Sequence, residues 1–499
     1  MMDAPKQQQQ HRYHRLSAMA TLARHGGNLC EVIRAVEETK QEGLMHSVSS
    51  DIIYCLIKGC LKKKDHVSAR RIHHLIMGTH LGSITFLNDN LIRLFATCGA
   101  SQEAYDVFLH VQNRTAYTCN SMISAFTKFG ENGLALSLYN DMKCAGIMPD
   151  KVTFLSILKA CTDIDHIRYV HGEILEHGFE FDVSVWNTIL AAYCKCSDVK
   201  DAENVFNSIQ CKDVVTWSTF IAGLVQHDCG EEALSHFEKM QQEGIEPNHV
   251  TFLCILKACS IMSALGYGKL IQASIIKNGL ESNERIGSAL VDMYSKCGSL
   301  QDAKMVFDRM PIQDEVIWSA LIGGYAYHND YRGALKCFEN MQTSGVKPDE
   351  VTFLCLLSAC GHVGMTYDGC LLFKSIREVY GLLPTVEQYY CLVDILSYGG
   401  ELHVAEDLLE TIPYPCNTIG WKSLLSSCKR HGNTNVGRRC FNYVVKDEPQ
   451  NASGFKLMCG VYSSVGSWEE AEKLEQSRRS ADVWKKPAKA FIEINNQVH

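Results

Sequence analysis

From Ser50 to Asn417 the sequence is a string of tandem units of about 31 to 36 residues whose length changes in a fixed order. A unit of about 35 residues is followed by one of about 32–36, and then by one of about 31–32. A fixed period in this range belongs to a solenoid of stacked helix pairs, which offers a long surface instead of a single pocket. Ala116–Asp150 shows why. Met122, Ile123 and Phe126 are spaced for one face of a first helix that ends at Gly130. Ala135, Leu136, Leu138, Tyr139 and Met142 mark a second helix, and Gly146 with Pro149 closes the unit. Two such helices cannot bury both apolar stripes alone, so stacking on the neighbouring units is obligatory.

Composition narrows the classes. Hydrophobic residues make up 46% of the chain, which fits a core-forming protein and excludes wholesale disorder. No window approaches 18 uncharged apolar residues, so no membrane span is expected. Many of the 23 cysteines recur at equivalent points, as in Leu158-Lys159-Ala160-Cys161, Leu256-Lys257-Ala258-Cys259 and Leu357-Ser358-Ala359-Cys360. That recurrence points to reduced thiols packed as small hydrophobes. The net charge of -8 is unlike that of a nonspecific nucleic-acid binder, which relies on counterion release. If nucleic acid binds, a local stripe and base contacts must carry it. The stretch from Thr418 onward is the exception, with 13 Lys/Arg against 8 Asp/Glu. The first 30 or so residues carry Lys6, Arg12, Arg15 and Arg24 with a single acid, Asp3. This composition suits an organellar transit peptide, with a disordered or truncated leader as the alternative.

In register, Val214–Asn248 and Glu315–Asp349 match Ala116–Asp150. Each is followed by a unit that begins Val-Thr-Phe after its first residue: Lys151–Asp182, His249–Asn283 and Glu350–Thr385. The shorter type then follows as Val183–Asp213, Glu284–Asp314 and Val386–Asn417. Upstream, Ser50–Ile84 and Thr85–Thr115 fit the second and third types. Signatures such as Asn187-Thr188-Ile189-Leu190-Ala191-Ala192-Tyr193 and Ser288-Ala289-Leu290-Val291-Asp292-Met293-Tyr294 resemble those of plant pentatricopeptide repeat proteins with alternating P, L and S motifs. The stretch from Trp421 resembles that family's first C-terminal E motif, and the stretch from Ser453 the second. The resemblance implies an all-α, right-handed α-solenoid superhelix. It divides the chain into a leader with a degenerate repeat (1–49), the repeat array ending in L2 and S2 (50–417), E1 (418–451), E2 (452–485) and the start of an E+-like tail (486–499).

In that family each repeat reads about one nucleotide of single-stranded RNA through its fifth and last residues, a code that stacking equivalent modules makes physically sensible. Carried over, Asn120 with Asp150 implies U, and Asn187 with Asp213 implies U. Ser218 with Asn248 implies A, while Ser288 with Asp314 and Ser319 with Asp349 each imply G. With one nucleotide for each L unit, the address becomes 5′-U-x-U-A-x-G-G-3′. The L units carry Leu155, Leu253 and Leu354 at the fifth position, which cannot hydrogen-bond a base edge. Ser, Asn and Asp are also favoured helix N-caps in any helical repeat, so each polar residue alone has a plainer explanation. Asp89 with Thr115 is an unusual pair, Tyr390 with Asn417 is expected to be noncoding, and Lys151–Asp182 is about three residues short.

No catalytic residue, metal or cofactor is expected. His171-Gly172-Glu173 matches the His-x-Glu of zinc cytidine deaminases, but Pro415-Cys416 is not followed by the second cysteine such a site needs. Cys194 and Cys196 lie two residues apart and point to nearly opposite sides of a helix. The terminal Phe491-Ile492-Glu493-Ile494 string resembles the segment that leads into the family's DYW deaminase domain, which does not follow here. The resemblance therefore implies an organellar C-to-U RNA-editing specificity factor that positions a DYW-type deaminase acting in trans. Mitochondrion is expected ahead of chloroplast. The alternatives are a factor for organellar RNA processing, splicing or stability, and a protein-binding helical scaffold.

Overall fold

The computed structural model describes residues 29–179, 182–196, 199–413, 418–449, 451–480, 493–494 and 497–498. The basic leader up to residue 28, Pro415, Cys416, Asn417 and the 488–490 lead-in lie outside the described residues. The chain forms two compact units, Met1–Gly223 and Leu224–His499, and the division falls inside the helix Val214–Gln226.

The first unit opens with the helix Leu29–Gln41 and a 3-10 turn, Met45–Ser47. Helix pairs follow: Ser50–Lys63 with His66–Ile76, Thr85–Cys98 with Ser101–His110, Ala116–Lys128 with Asn132–Cys144, Lys151–Ala160 with Ile164–Glu176, and Val183–Lys195 with Val199–Ser208. The second unit continues from Gly230–Gln242 through His249–Met262 with Leu265–Lys277, Glu284–Lys296 with Leu300–Arg309, Glu315–Tyr327 with Tyr331–Thr343, Glu350–Val363 with Thr366–Glu378, and Val386–Tyr398 with Leu402–Thr411. Thr418–His431 with Thr434–Asp447 and Ala452–Ser464 with Trp468–Ser480 complete it. Besides helices, the described residues hold one short antiparallel pairing of Glu493–Ile494 with Gln497–Val498.

Each unit is thus an α-solenoid of helix pairs, with a division of labour inside every pair. First helices pack on the first helices before and after them, so they are buried on more than one side. Glu284–Lys296 buries Ile286, Gly287, Ser288, Leu290, Val291, Met293, Tyr294 and Ser295, whereas Leu300–Arg309 buries only Ala303, Val306 and Phe307. The phenylalanine of each Val-Thr-Phe string, Phe154, Phe252 or Phe353, is fully enclosed. Burying a side chain of this size stabilises by about 1.5–3 kcal/mol. In Ala116–Asp150 the expected residues Met122, Ile123, Phe126, Ala135, Leu138, Tyr139 and Met142 are buried, while Leu136 is half-buried.

The recurring cysteines Cys161, Cys259 and Cys360 are buried free thiols. Burial pushes the Cys161 thiol up to about 12 and that of Cys360 up to about 11, so neither is a ready nucleophile.

The short repeat takes its deletion at one place. Lys151–Ala160 has 10 residues where His249–Met262 and Glu350–Val363 have 14, while the second helices all have 13. The longer helices end on left-handed residues, Ser263 (φ 53°) and Gly364 (φ 77°). The short one leaves its helix in extended geometry at Cys161, and Asp163 restarts the next by accepting the His166 N–H. Missing residues are therefore absorbed in one turn, and the second helix keeps its full length.

Candidate nucleic-acid interface

All five of the last-position residues cap a helix. Asp150, Asn248 and Asp349 each form a capping box with the threonine three residues on, Thr153, Thr251 and Thr352. Asp213 accepts the Thr216 N–H at 2.7 Å, and Asp314 accepts those of Val316 and Ile317. The fifth-position residues do not start helices. They lie about one turn inside, where Asn120, Asn187 and Ser319 reach the cap of the next repeat's first helix.

Asn120 donates from Nδ2 to Asp150 Oδ1 at 2.8 Å, and its Oδ1 accepts the Thr153 hydroxyl at 2.6 Å. Asn187 repeats this with Asp213 at 3.3 Å and Thr216 at 2.7 Å. Ser319 donates to Asp349 at 3.3 Å and shares a hydrogen bond of 2.7 Å with Thr352. A fifth residue thus forms a triad with a last residue and a threonine that lie 26 to 33 residues further along the chain. Ser218 and Ser288 donate back to their own helices, to Val214 O at 2.7 Å and Glu284 O at 3.0 Å.

The triads set the charge of the site. Burial opposes ionisation of Asp150, but the Thr153 N–H, the Asn120 amide and the Thr153 hydroxyl outweigh it and hold the carboxyl below its ordinary range. Asp213 is lowered in the same way: burial opposes, while Thr216 and Asn187 prevail. Asp89, the unusual fifth residue, is buried, and burial pushes its carboxyl up against the opposing pull of Thr118. Tyr390 is buried, and Leu155, Leu253 and Leu354 are half-buried.

Fifth-position side chains are more enclosed than a freely exposed reading edge would be: Asn120, Ser218, Ser288 and Ser319 are buried and only Asn187 is half-open. Three residues before each, on the same helix face, stands the more accessible group. Phe86, Tyr117, Val215 and Val316 are exposed there, as are Val152, Val250, Val351 and Ile419 at the matching position of their helices, all between 41% and 58%. An apolar row left in water at one helical register can carry stacked bases, whose π-faces are sequence-tolerant. Three S-type helices carry Ser184, Arg285 and Glu387 at this register. Lys128, Lys195 and Lys296 close the same face at the end of their helices, where ammonium groups can meet phosphates.

The threonines and the apolar row were not anticipated from the sequence. Their signals were present: an Asp/Asn-x-x-Thr spacing after four of the last-position residues, and a recurring apolar residue out of phase with the buried face.

His171 and Glu173 do not converge on a metal position. His171 is 3.2 Å from the Tyr193 hydroxyl and packs edge-on to Trp186, while Glu173 is bound by Lys143 and Tyr139. Among the described residues no group of three His, Cys, Asp or Glu side chains could hold a metal ion, and no helix is long and apolar enough to cross a membrane.

Stacked helix pairs with a recurring polar triad on one face define a helical-repeat binding protein. The PPR repeat family pattern matches residues 114–163, 212–260 and 313–362, and the PPR repeat pattern matches 184–214 and 288–312. The chloroplastic pentatricopeptide repeat-containing protein At4g25270 of Arabidopsis thaliana is 33% identical over 456 residues, which is 90% of this chain and 85% of that protein. The Arabidopsis thaliana protein At2g33680 is 33% identical over 92% of this chain, and the mitochondrial At3g53360 is 32% identical over 94%. This chain spans 63% and 62% of the lengths of those two relatives. In fold, the chain is similar to the crystal structure of maize PPR10, with a TM-score of 0.65 at 18% identity over 94% of this chain and 68% of that one. It is similar also to PPR10 in complex with an 18-nt psaJ RNA element, with a TM-score of 0.61 at 18% identity over 93% of this chain and 74% of that one. The chain belongs to the pentatricopeptide repeat family.

Proposed function

We propose that the chain is a sequence-specific single-stranded RNA-binding protein of an organelle, of the PLS type with E1 and E2 motifs at residues 418–485, and that it specifies a C-to-U editing site. The observation that carries this reading is the triad: fifth and last residues of one repeat, held together by the next repeat, beside an apolar shelf that could stack a base. Asn120/Asp150, Asn187/Asp213, Ser218/Asn248, Ser288/Asp314 and Ser319/Asp349 supply the letters of the address U-x-U-A-x-G-G. That PPR10, similar in fold, was solved in complex with an 18-nt RNA element supports RNA as the ligand. Mechanistically the protein positions and does not react. Stacking and phosphate contacts fix the register, the triads choose bases, and the E motifs present a separate DYW-type deaminase to the cytidine downstream.

Relatives named mitochondrial and chloroplastic support an organellar site of action, and we place the protein in mitochondria first. Comparing organellar RNA with DNA in a loss-of-function line tests the reading. One or a few cytidines should lose editing downstream of a U-x-U-A-x-G-G match. Unchanged editing with altered splicing or transcript abundance would assign the protein to RNA processing instead.

A further inference from the structure

Beyond the repeats that spell the address, the same face of the second unit holds a cavity of about 540 Å³, within the range of small-ligand sites. Its walls come from four successive first helices. Tyr327 and His362 enter from Glu315–Tyr327 and Glu350–Val363, Asp394 and Tyr398 from Val386–Tyr398, and Ser423 and Arg430 from Thr418–His431. On Val386–Tyr398, Asp394 and Tyr398 follow Glu387 by seven and eleven residues, so they continue the face that carries the second-position row.

The chemistry of the cavity is specific. Asp394 still meets water, yet the walls enclose it enough that desolvation pushes its carboxyl up, against the opposing pull of Ser423 and His362. Ser423 donates its hydroxyl to Asp394 Oδ1, which leaves lone pairs on both carboxylate oxygens for a ligand. Arg430 stacks its guanidinium on the Tyr398 ring at 4.3 Å, and Tyr398 remains 43% exposed, so a flat surface is available at the rim. A phosphate would be repelled by the carboxylate, and an apolar peptide would leave it unpaired. A nucleobase satisfies both parts: a ring for the flat surface and N–H donors for the acid. Of the four RNA bases, guanine presents two adjacent donors, N1–H and the N2 amine, that match two carboxylate oxygens side by side. Adenine, cytosine and uracil each set a lone pair beside their donor.

We propose that this cavity is a guanine pocket that holds one nucleotide of the bound RNA on the 3′ side of the seven-letter address. The proposal rests on the single-stranded RNA reading and adds a letter read by a carboxylate outside the fifth and last positions.

The test is fluorescence-anisotropy titration of the full chain with U-x-U-A-x-G-G RNA extended by four 3′ nucleotides. All four are adenosine except one guanosine, which is walked through the positions. At one position guanosine should tighten binding about tenfold over adenosine, the size expected of a bidentate base contact. Inosine there, which lacks the N2 amine, should lose most of the gain with the protein unchanged. Asp394→Asn should abolish the guanosine advantage and leave affinity for the unextended seven-letter RNA as it was. Equal binding at all four positions, or an advantage that survives Asp394→Asn, overturns the pocket alone. Failure of the seven-letter RNA to outcompete a scrambled one overturns the pocket and the RNA reading together.

Discussion

Ser288 with Asp314 and Ser319 with Asp349 are the same pair of residues at the same two positions, in neighbouring parts of one compact unit, yet their surroundings differ. Ser319 is hydrogen-bonded to both Asp349 and Thr352, while Ser288 turns back to Glu284 of its own helix. The side chain three residues after the cap separates them: Thr352 in one, Ile317 in the other. Ser319 reaches its cap where the Thr352 hydroxyl bridges the two, and Ser288 satisfies itself within its own helix where Ile317 stands. The arrangement of Ser319 and Asp349 thus depends on a residue of the repeat that follows, Thr352, which holds both side chains.

Removing the two caps separates the cases most strongly. Asp349→Ala removes a cap and the acceptor that Ser319 and Thr352 share, leaving them only each other, so it should cost about 2–3 kcal/mol. Asp314→Ala removes a cap alone and should cost about 1 kcal/mol. Urea denaturation of the two variants measures the gap, and equal losses would dissolve the comparison.

Exchanging the third residue should move specificity. Thr352→Val should cost about 1–3 kcal/mol and weaken the guanine preference at the seventh letter. Ile317→Thr should strengthen the preference at the sixth letter severalfold, even as loss of a buried aliphatic group lowers stability by about 1–2 kcal/mol. Binding titrations with G-to-A substitutions at each letter check both.

A smaller effect follows from pH, with opposite signs at two acids. The Asp150 carboxyl is lowered in the fold, so its contribution is present above the unfolded value of about 3.9 and is lost as pH falls through the folded value. The Asp89 carboxyl is raised, so its ionisation destabilises the fold, and that penalty disappears as pH falls through its folded value. Asp150→Asn should therefore lose stability at neutral pH and converge with the parent in acid. Asp89→Asn should gain at neutral pH and converge in acid as well. Stability against pH for both variants measures this, and parallel curves would contradict it.

The sequence carried the repeat register clearly, because Gly and Pro punctuation and a 3.6-residue apolar period are local signals. Met122, Ile123 and Phe126 could be placed on a buried face from spacing alone. What spacing could not show was which polar groups satisfy one another. The Asn120 amide meets Asp150 and Thr153 only after two repeats stack, because residues 30 and 33 positions away come together through tertiary packing. The cap role and the contact with the fifth residue coexist at Asp150, Asp213 and Asp349, since a carboxylate has lone pairs enough to accept both a backbone N–H and a side-chain donor. Tyr117 and Val316 escaped notice because an apolar residue outside the core phase reads as noise until its exposure is seen in unit after unit.

The most direct test of the account is a competition between U-x-U-A-x-G-G and U-x-G-A-x-G-G RNAs for the unaltered chain and for Asn187→Ser. The unaltered chain should prefer uridine at the third letter by about tenfold, and the variant should reverse that preference towards guanosine. A preference that stays unchanged in the variant would contradict the claim that fifth-position residues, held by the next repeat, choose the base.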